Sequence, residues 1–314
     1  MKFSVDPWDP SYGTSLDTEM AASEATVVVD IEIDPSEWSP RDPSPSAVAP
    51  DGVIFVDGVR RIEARGWLDD ADGNPQVGIF ASYAAGTVRC ERSKATIGEV
   101  EVGRGIYSPA SGLADVATRH GTYIAHTARD ASPEALMFAV HDDMATAEVE
   151  VAERARRHNT DLIVLDGPIR KRGHIPDAIG FVKSHAVRYL PPSLDQIVGR
   201  LAAGQRTPLF RIEAHPFSRA SFYLRLPTPS DAPWAGIVRC EATGALPIAQ
   251  LVALADTVCV TVPRFASESH KDARAPQNLY PIGGLERDLR RRLGDQKLLY
   301  RALRLAAADH RATI

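Results

Sequence analysis

The chain has 314 residues, 44% hydrophobic and 25% charged, with a formal net charge of -5 at pH 7. This composition is globular and allows one large domain or two smaller ones; it excludes a disordered, fibrous or uniformly basic nucleic-acid-binding chain. Three scattered cysteines, Cys90, Cys240 and Cys259, supply neither a disulfide framework nor a close-paired zinc site, and are expected reduced and buried.

Residues 1–50 are acidic (Asp6, Asp9, Asp17, Asp30 and Asp34 among others), with Lys2 and Arg41 as the only bases. The opening MKFSVDPWDPSYG has neither a basic start nor an apolar run, so a cytoplasmic chain without a signal peptide is expected. Trp38–Pro50, with Pro40, Pro43, Pro45 and Pro50, predicts an extended linker. The domain reading is therefore an acidic arm and linker over 1–50 and one domain over 51–314.

That domain opens with VIFVD (53–57), an apolar β-branched run that predicts a buried strand ending in a turn at Gly58. Strands follow at 60–68 and 76–91, separated by DDADGNP, which suggests an antiparallel meander of three. Residues 145–157 have a helical rhythm that closes at Asn159, and DLIVLDGP (161–168) is a second buried strand ending in Asp-Gly. Short strands are predicted at 180–184, 208–214, 221–226 and 234–242, and helices at 248–260 and 285–307. This order is that of an α/β fold with an RNase H-like mixed sheet flanked by helices and C-terminal helical additions. The most apolar stretch, 248–262, is interrupted by Asp256 and falls short of the roughly 20 residues of a membrane span, so no membrane association is expected.

Two carboxylates at the ends of buried strands, Asp57 and Asp166, carry the chemical signal, because strand ends in α/β sheets are where ligands and metals are held. A hard divalent cation prefers oxygen ligands, and two aspartates plus another acid leave room for water and a phosphate oxygen. The alternative is that each aspartate merely caps an Asp-Gly turn. Residues 168–225 carry an excess of Lys and Arg, including Arg170, Lys171, Arg172, Lys183, Arg188 and Arg211, that either faces a phosphate backbone or is a solvated face.

VIFVDGVRR followed about a hundred residues later by DLIVLDGPI resembles the two aspartate motifs of the NurA nuclease family. GFVKSH, with Lys183, resembles that family's lysine-bearing strand, and QNLYPIGGL resembles its Tyr-Pro motif at Tyr280 and Pro281. The likeness runs from about residue 53 to about residue 290, and its specificity lies in the order and spacing of the motifs. It implies an RNase H-like, homodimeric, metal-dependent deoxyribonuclease, with exonuclease and endonuclease activity, that uses manganese or magnesium. It further implies that the enzyme processes DNA ends with a HerA-type hexameric ATPase.

Carried over by motif, Asp57 and Asp166 match the family's metal-binding aspartates and Tyr280 its active-site tyrosine. A glutamate is expected on the helix before the second aspartate; Glu148 is the best match, ahead of Glu150 and Glu153. The chain departs after the Tyr-Pro motif, where the family's histidine is missing from YPIGGLERDLRRR. Asp288 stands nearest that position, with Glu286 as another possibility, and both can equally be ordinary acids at a helix start.

Lys183 would hold the scissile phosphate as a point charge, and Arg60, Arg61 and Arg170 would neutralise phosphates, with a surface role as the alternative. Arg290, Arg291 and Arg292 point around a helix, so only one or two of them can meet the same strand. His185 and His215 are weaker candidates whose ordinary reading is structural. The competing functions are a catalytically inactive DNA-binding or scaffold subunit and an RNase H-like enzyme acting on RNA.

Overall fold

A computed structural model describes residues 21–22, 25–185, 187–214, 217–228, 232–268, 270–272 and 274–312. Its strands are β1 (Ala21–Ala22), β2 (Thr26–Val28), β3 (Gly52–Asp69), β4 (Pro75–Glu91), β5 (Lys94–Ser108), β6 (Val116–Thr118), β7 (Gly121–Thr127), β8 (Leu162–Asp166), β9 (Ala178–Val182), β10 (Val187–Arg188), β11 (Phe210–Ala214), β12 (Phe217–Arg225) and β13 (Ile237–Thr243). Its helices are α1 (Pro133–Ala155), α2 (Pro192–Val198), α3 (Ile248–Thr261), α4 (Tyr280–Arg292) and α5 (Gln296–Ala312). The result is a mixed α/β protein with a large mixed sheet flanked by helices.

The chain divides into two compact units. The first holds the described residues up to Phe55 together with Arg89–Ala95 and Arg156–Gly283; the second holds Val56–Val88, Thr96–Ala155 and the chain from Gly284. β3 and α4 run unbroken from one to the other.

In the first unit the strand order is β2-β11-β12-β13-β9-β8-β3. Every pair from β2 to β9 is antiparallel, whereas β8 and β9 are parallel. Phe210, Ile212, Tyr223 and Ile237 pack on Leu194, Ile197 and Val198 of α2 and on Trp38. Phe222 and Leu224 alternate with Tyr223, point to the opposite face and are also buried, so β12 is covered on both sides. β8, with four successive buried residues, has the continuous apolar run of a strand enclosed on both faces.

The second unit has the order β3-β4-β5-β7-β6, with β5 parallel to β7 and β7 antiparallel to β6. Ala81 and Tyr107 take Leu136 and Val140 of α1, while Ile106, on the face opposite Tyr107, packs with Tyr123 and Leu303 of α5.

Several elements differ from the sequence reading. Gly58 makes no turn: 53–57 and 60–68 form the single strand β3. A Cβ at Gly58 would stand 2.6 Å from Glu148 Oε1 and 2.9 Å from Met144 Sδ, so the glycine serves close packing by α1. The helix predicted from 145 begins at Pro133, and β5, β6 and β7 were not foreseen. The predicted helix 285–307 is two: Gly294 adopts φ +85° after α4, and Asp295 accepts from Leu298 N at 3.0 Å to start α5. The Pro-rich segment contributes more than a linker, because Trp38 is buried against Phe210 and donates to Val29 O at 3.1 Å.

Much of the basic excess over 168–225 is internal. Arg206, almost fully buried, pairs with Glu32 and with Asp256 of α3, and Glu32 also accepts from Leu209 N. Arg225 donates to the carbonyls of Ala235, Gly199 and Pro233. Buried guanidinium groups need such partners, and through Glu32 Arg206 staples the N-terminal segment to the sheet. The segment Ile248–Phe265, extended past Thr261 by a 3-10 turn, has the length and mean hydropathy (1.4) of a membrane crossing. Its Asp256 nonetheless takes Arg206 and Ser44 N, as a helix packed within a protein does. Cys90, Cys240 and Cys259 are free and buried.

His185 is a structural residue. Its ring lies between Tyr223 and Trp234, with Nε2 against Ile237 O at 3.0 Å, and burial together with the nearby Arg239 charge pushes its pKa down to about 4. Its neutral form therefore stabilises the fold at and above the ordinary value of 6.5, and that contribution is lost as pH falls from 6.5 toward 4, where the unfolded chain binds the extra proton. In thermal melts followed by circular dichroism, the wild-type midpoint should fall more steeply across that window than that of His185→Phe. Parallel profiles would contradict the assignment.

Candidate metal centre

Asp166 ends β8, where Gly167 takes φ +90° and Pro168 stops the ladder. The parallel register sets Asp166 opposite Phe181 of β9, and Gly167 N donates to Phe181 O at 2.9 Å. Lys183 follows β9 directly, and its Nζ reaches Asp166 Oδ2 at 2.7 Å and Asn278 Oδ1 at 3.4 Å. Asn278 is fixed in turn by Asp272, whose Oδ2 accepts from Nδ2 at 2.6 Å. Asp166 Oδ1 is buried and takes no hydrogen bond from the described residues, an arrangement that a cation would relieve.

The loop after Asp166 is tightly fastened. Arg172 donates to the carbonyls of Pro168 (2.6 Å) and Asp166 (3.3 Å), and Ile169 N donates to Glu241 Oε2 at 3.1 Å. Glu241, fully buried, is neutralised by Arg219 and Arg239. The loop crosses β9 so closely that a Cβ at Gly180 would stand 2.4 Å from Ile169 N.

Asp57 lies on β3, buried, with Oδ1 accepting from Gly58 N at 2.8 Å. Glu148, also buried, comes down from α1 over Gly58, the residue next to it. Asp57 stands two residues beyond the first-unit part of β3, and Glu286 three residues beyond the first-unit part of α4. One oxygen each from Asp57, Asp166 and Glu286 lies within 4.8 Å of the others.

The acid that α4 brings to this group is Glu286. Asp288, two residues on, projects about 200° around the helix and pairs with Arg292 at 2.6 Å. Three carboxylates, with no nitrogen or sulfur ligand grouped with them among the described residues, make a donor set suited to a hard divalent cation, and the unsatisfied Asp166 Oδ1 fits one.

The remaining candidates are dispersed. Tyr280, at the start of α4, turns its hydroxyl to Glu268 N at 3.3 Å and lies under Lys271. Glu150 pairs with Arg154, and Glu153 is exposed. Arg61 is occupied by Glu63 and by Gly294 O, whereas Arg60 and Arg170 are exposed. His215 lies outside the described residues. Sequence reasoning missed Asn278 and Glu241; QNLYP held the first in view, but nothing in WAGIVRCEA marks a strand glutamate as the anchor of a distant loop.

No protein-family model matches the chain, and no curated protein matches it in sequence. Among solved structures it is similar to the NurA nuclease from Sulfolobus solfataricus, at 10% identity over 88% of each chain with a TM-score of 0.47.

Gly180→Ala forces the loop at Ile169 outward and should displace Asp166. The expected result is a folded protein, destabilised by about 1–3 kcal/mol, whose Mn2+ affinity in a calorimetric titration falls by about tenfold or more. Unchanged affinity would show that the loop's closeness to β9 does not set the position of Asp166.

Proposed function

We propose that the protein is a metal-dependent deoxyribonuclease of the NurA type. The observation that carries this reading is the meeting of Asp57, Asp166 and Glu286, with Lys183 ion-paired to Asp166. It is supported by the order of the four motifs, VIFVD, DLIVLDGP, GFVKSH and QNLYP, in the sequence. A divalent ion, manganese or magnesium, held by the three carboxylates would supply Lewis-acid stabilisation of phosphodiester hydrolysis.

The chain's own contribution is placement. An ammonium group has three donors, and Lys183 directs two toward Asp166 and Asn278, leaving one for a phosphate oxygen. Asn278, fixed by Asp272, holds Lys183 in register with Asp166. Glu148 stands over Gly58, the residue after Asp57, and in this reading serves the same centre from α1, as the motif resemblance suggests. Tyr280, Asp288, Arg60 and Arg61 belong to the reading as the residues that the motifs or their charge suggest; of these Arg60 is exposed and so open to a phosphate.

The finer parts of the reading are an RNase H-like arrangement, a cytoplasmic homodimer, and DNA-end processing by exonuclease and endonuclease action beside a HerA-type hexameric ATPase. Those parts rest on the motif resemblance.

The test is incubation of the purified protein with end-labelled linear single- and double-stranded DNA in manganese, magnesium or EDTA, beside an Asp57→Asn, Asp166→Asn double variant. Degradation should require metal and fall to background in the variant. Degradation in EDTA, or undiminished degradation by the variant, would contradict the reading; so would inactivity that persists when the ATPase is added, which would favour a scaffold subunit.

A further inference from the structure

Behind the loop that follows Asp166 lies a cavity of about 370 Å³, bordered by Arg170, His174, Phe217, Ser218, Arg219 and Thr243. Among the described residues no acidic side chain lines it. Phe217, at the start of β12, leaves 44% of its surface exposed, an unusual position for a ring that loses free energy in water. Arg170 is exposed, makes no ion pair among the described residues, and is held at φ +36°, a left-handed conformation that a non-glycine residue adopts only where its surroundings impose it. The imposing contacts are Ile169 N to Glu241 on one side and the Arg172 hydrogen bonds on the other. Arg170 is thus presented as a free cation at a fixed place, four residues along the loop from Asp166.

A partly exposed aromatic ring and an unpaired guanidinium lining one cavity, with no acid among its described lining residues, match a base with its phosphate once the base is unstacked. We propose that this cavity binds single-stranded DNA next to the metal centre, with Phe217 as the stacking platform for one base and Arg170 as the contact to its phosphate. A duplex offers no free base face to Phe217, so the site selects a frayed or single-stranded end. The proposal rests on the nuclease reading and adds to it the strand form that is captured.

Fluorescently labelled oligo-dT and a duplex of the same length, bound in EDTA so that no cleavage intervenes, test it in anisotropy titrations. Phe217→Ala should weaken oligo-dT binding by roughly tenfold or more while changing duplex binding by less than about twofold, and Phe217→Trp should restore the loss. Arg170→Ala should lower the slope of log affinity against log salt for oligo-dT by about 0.7, the signature of one lost phosphate contact on a single strand. Wild type that binds oligo-dT as Phe217→Ala does, or equal loss for both DNA forms, would overturn the stacking site while leaving the nuclease reading intact. Wild type that binds neither form would overturn both.

Discussion

Carboxylates do not share a small volume without a positive charge, and the candidate site is built around that constraint. Two ionised carboxylates within 4.8 Å of one another repel by roughly 3 kcal/mol or more at an effective dielectric of about 20, and three such groups multiply the cost. Lys183 supplies one positive charge at Asp166 Oδ2, but the buried Oδ1 of the same residue takes no hydrogen bond from the described residues. A divalent cation resolves both the repulsion and the unsatisfied oxygen, and a set of oxygen ligands selects a hard one.

Asp166 is positioned by packed and hydrogen-bonded structure on every side that the chain supplies within the first unit. β8 is buried up to Asp166, its parallel register with β9 sets Asp166 beside the start of the Lys183 segment, and Gly180 lets the following loop lie directly on β9. Glu241 anchors that loop from below, and Arg219 and Arg239, the second of which stacks on Tyr189, satisfy the buried glutamate. Arg206 does comparable work at the other edge of the unit, joining Glu32 near β2 to Asp256 on α3. Such a network of buried ion pairs and hydrogen bonds holds charged groups in a geometry they would leave if free to relax, as a metal site requires.

The strands that carry the chemistry were legible because they are buried on both faces and so read as unbroken apolar runs, VIFVD and LIVLD, each ended by an aspartate. The helix 248–261 was equally plain from its composition. Gly58 misled, since a glycine after a strand suggests a turn, whereas here it makes room for Glu148 and Met144 on a neighbouring helix, a reason that exists only in three dimensions. β5 was missed because residues 94–102 are exposed or half-buried and lack the alternation of a half-buried strand. At the site, a single sequence could not separate Glu286 from Asp288; their two-residue spacing puts them on different sides of α4, and only the packed helix decides which joins the aspartates. The basic excess over 168–225 suggested a phosphate-facing surface, yet Arg206, Arg219 and Arg225 are held by partners inside the first unit, because composition counts charges without showing what they pair with.

The central claim is that Asp57, Asp166 and Glu286 together hold a divalent cation, and its most direct test is a crystal soaked in Mn2+ and measured at the manganese absorption edge. The account predicts an anomalous peak at bonding distance from oxygens of these three residues, absent from crystals of Asp166→Asn treated in the same way. A well-soaked wild-type crystal with no peak there, or with its peaks only at surface acids, would contradict it.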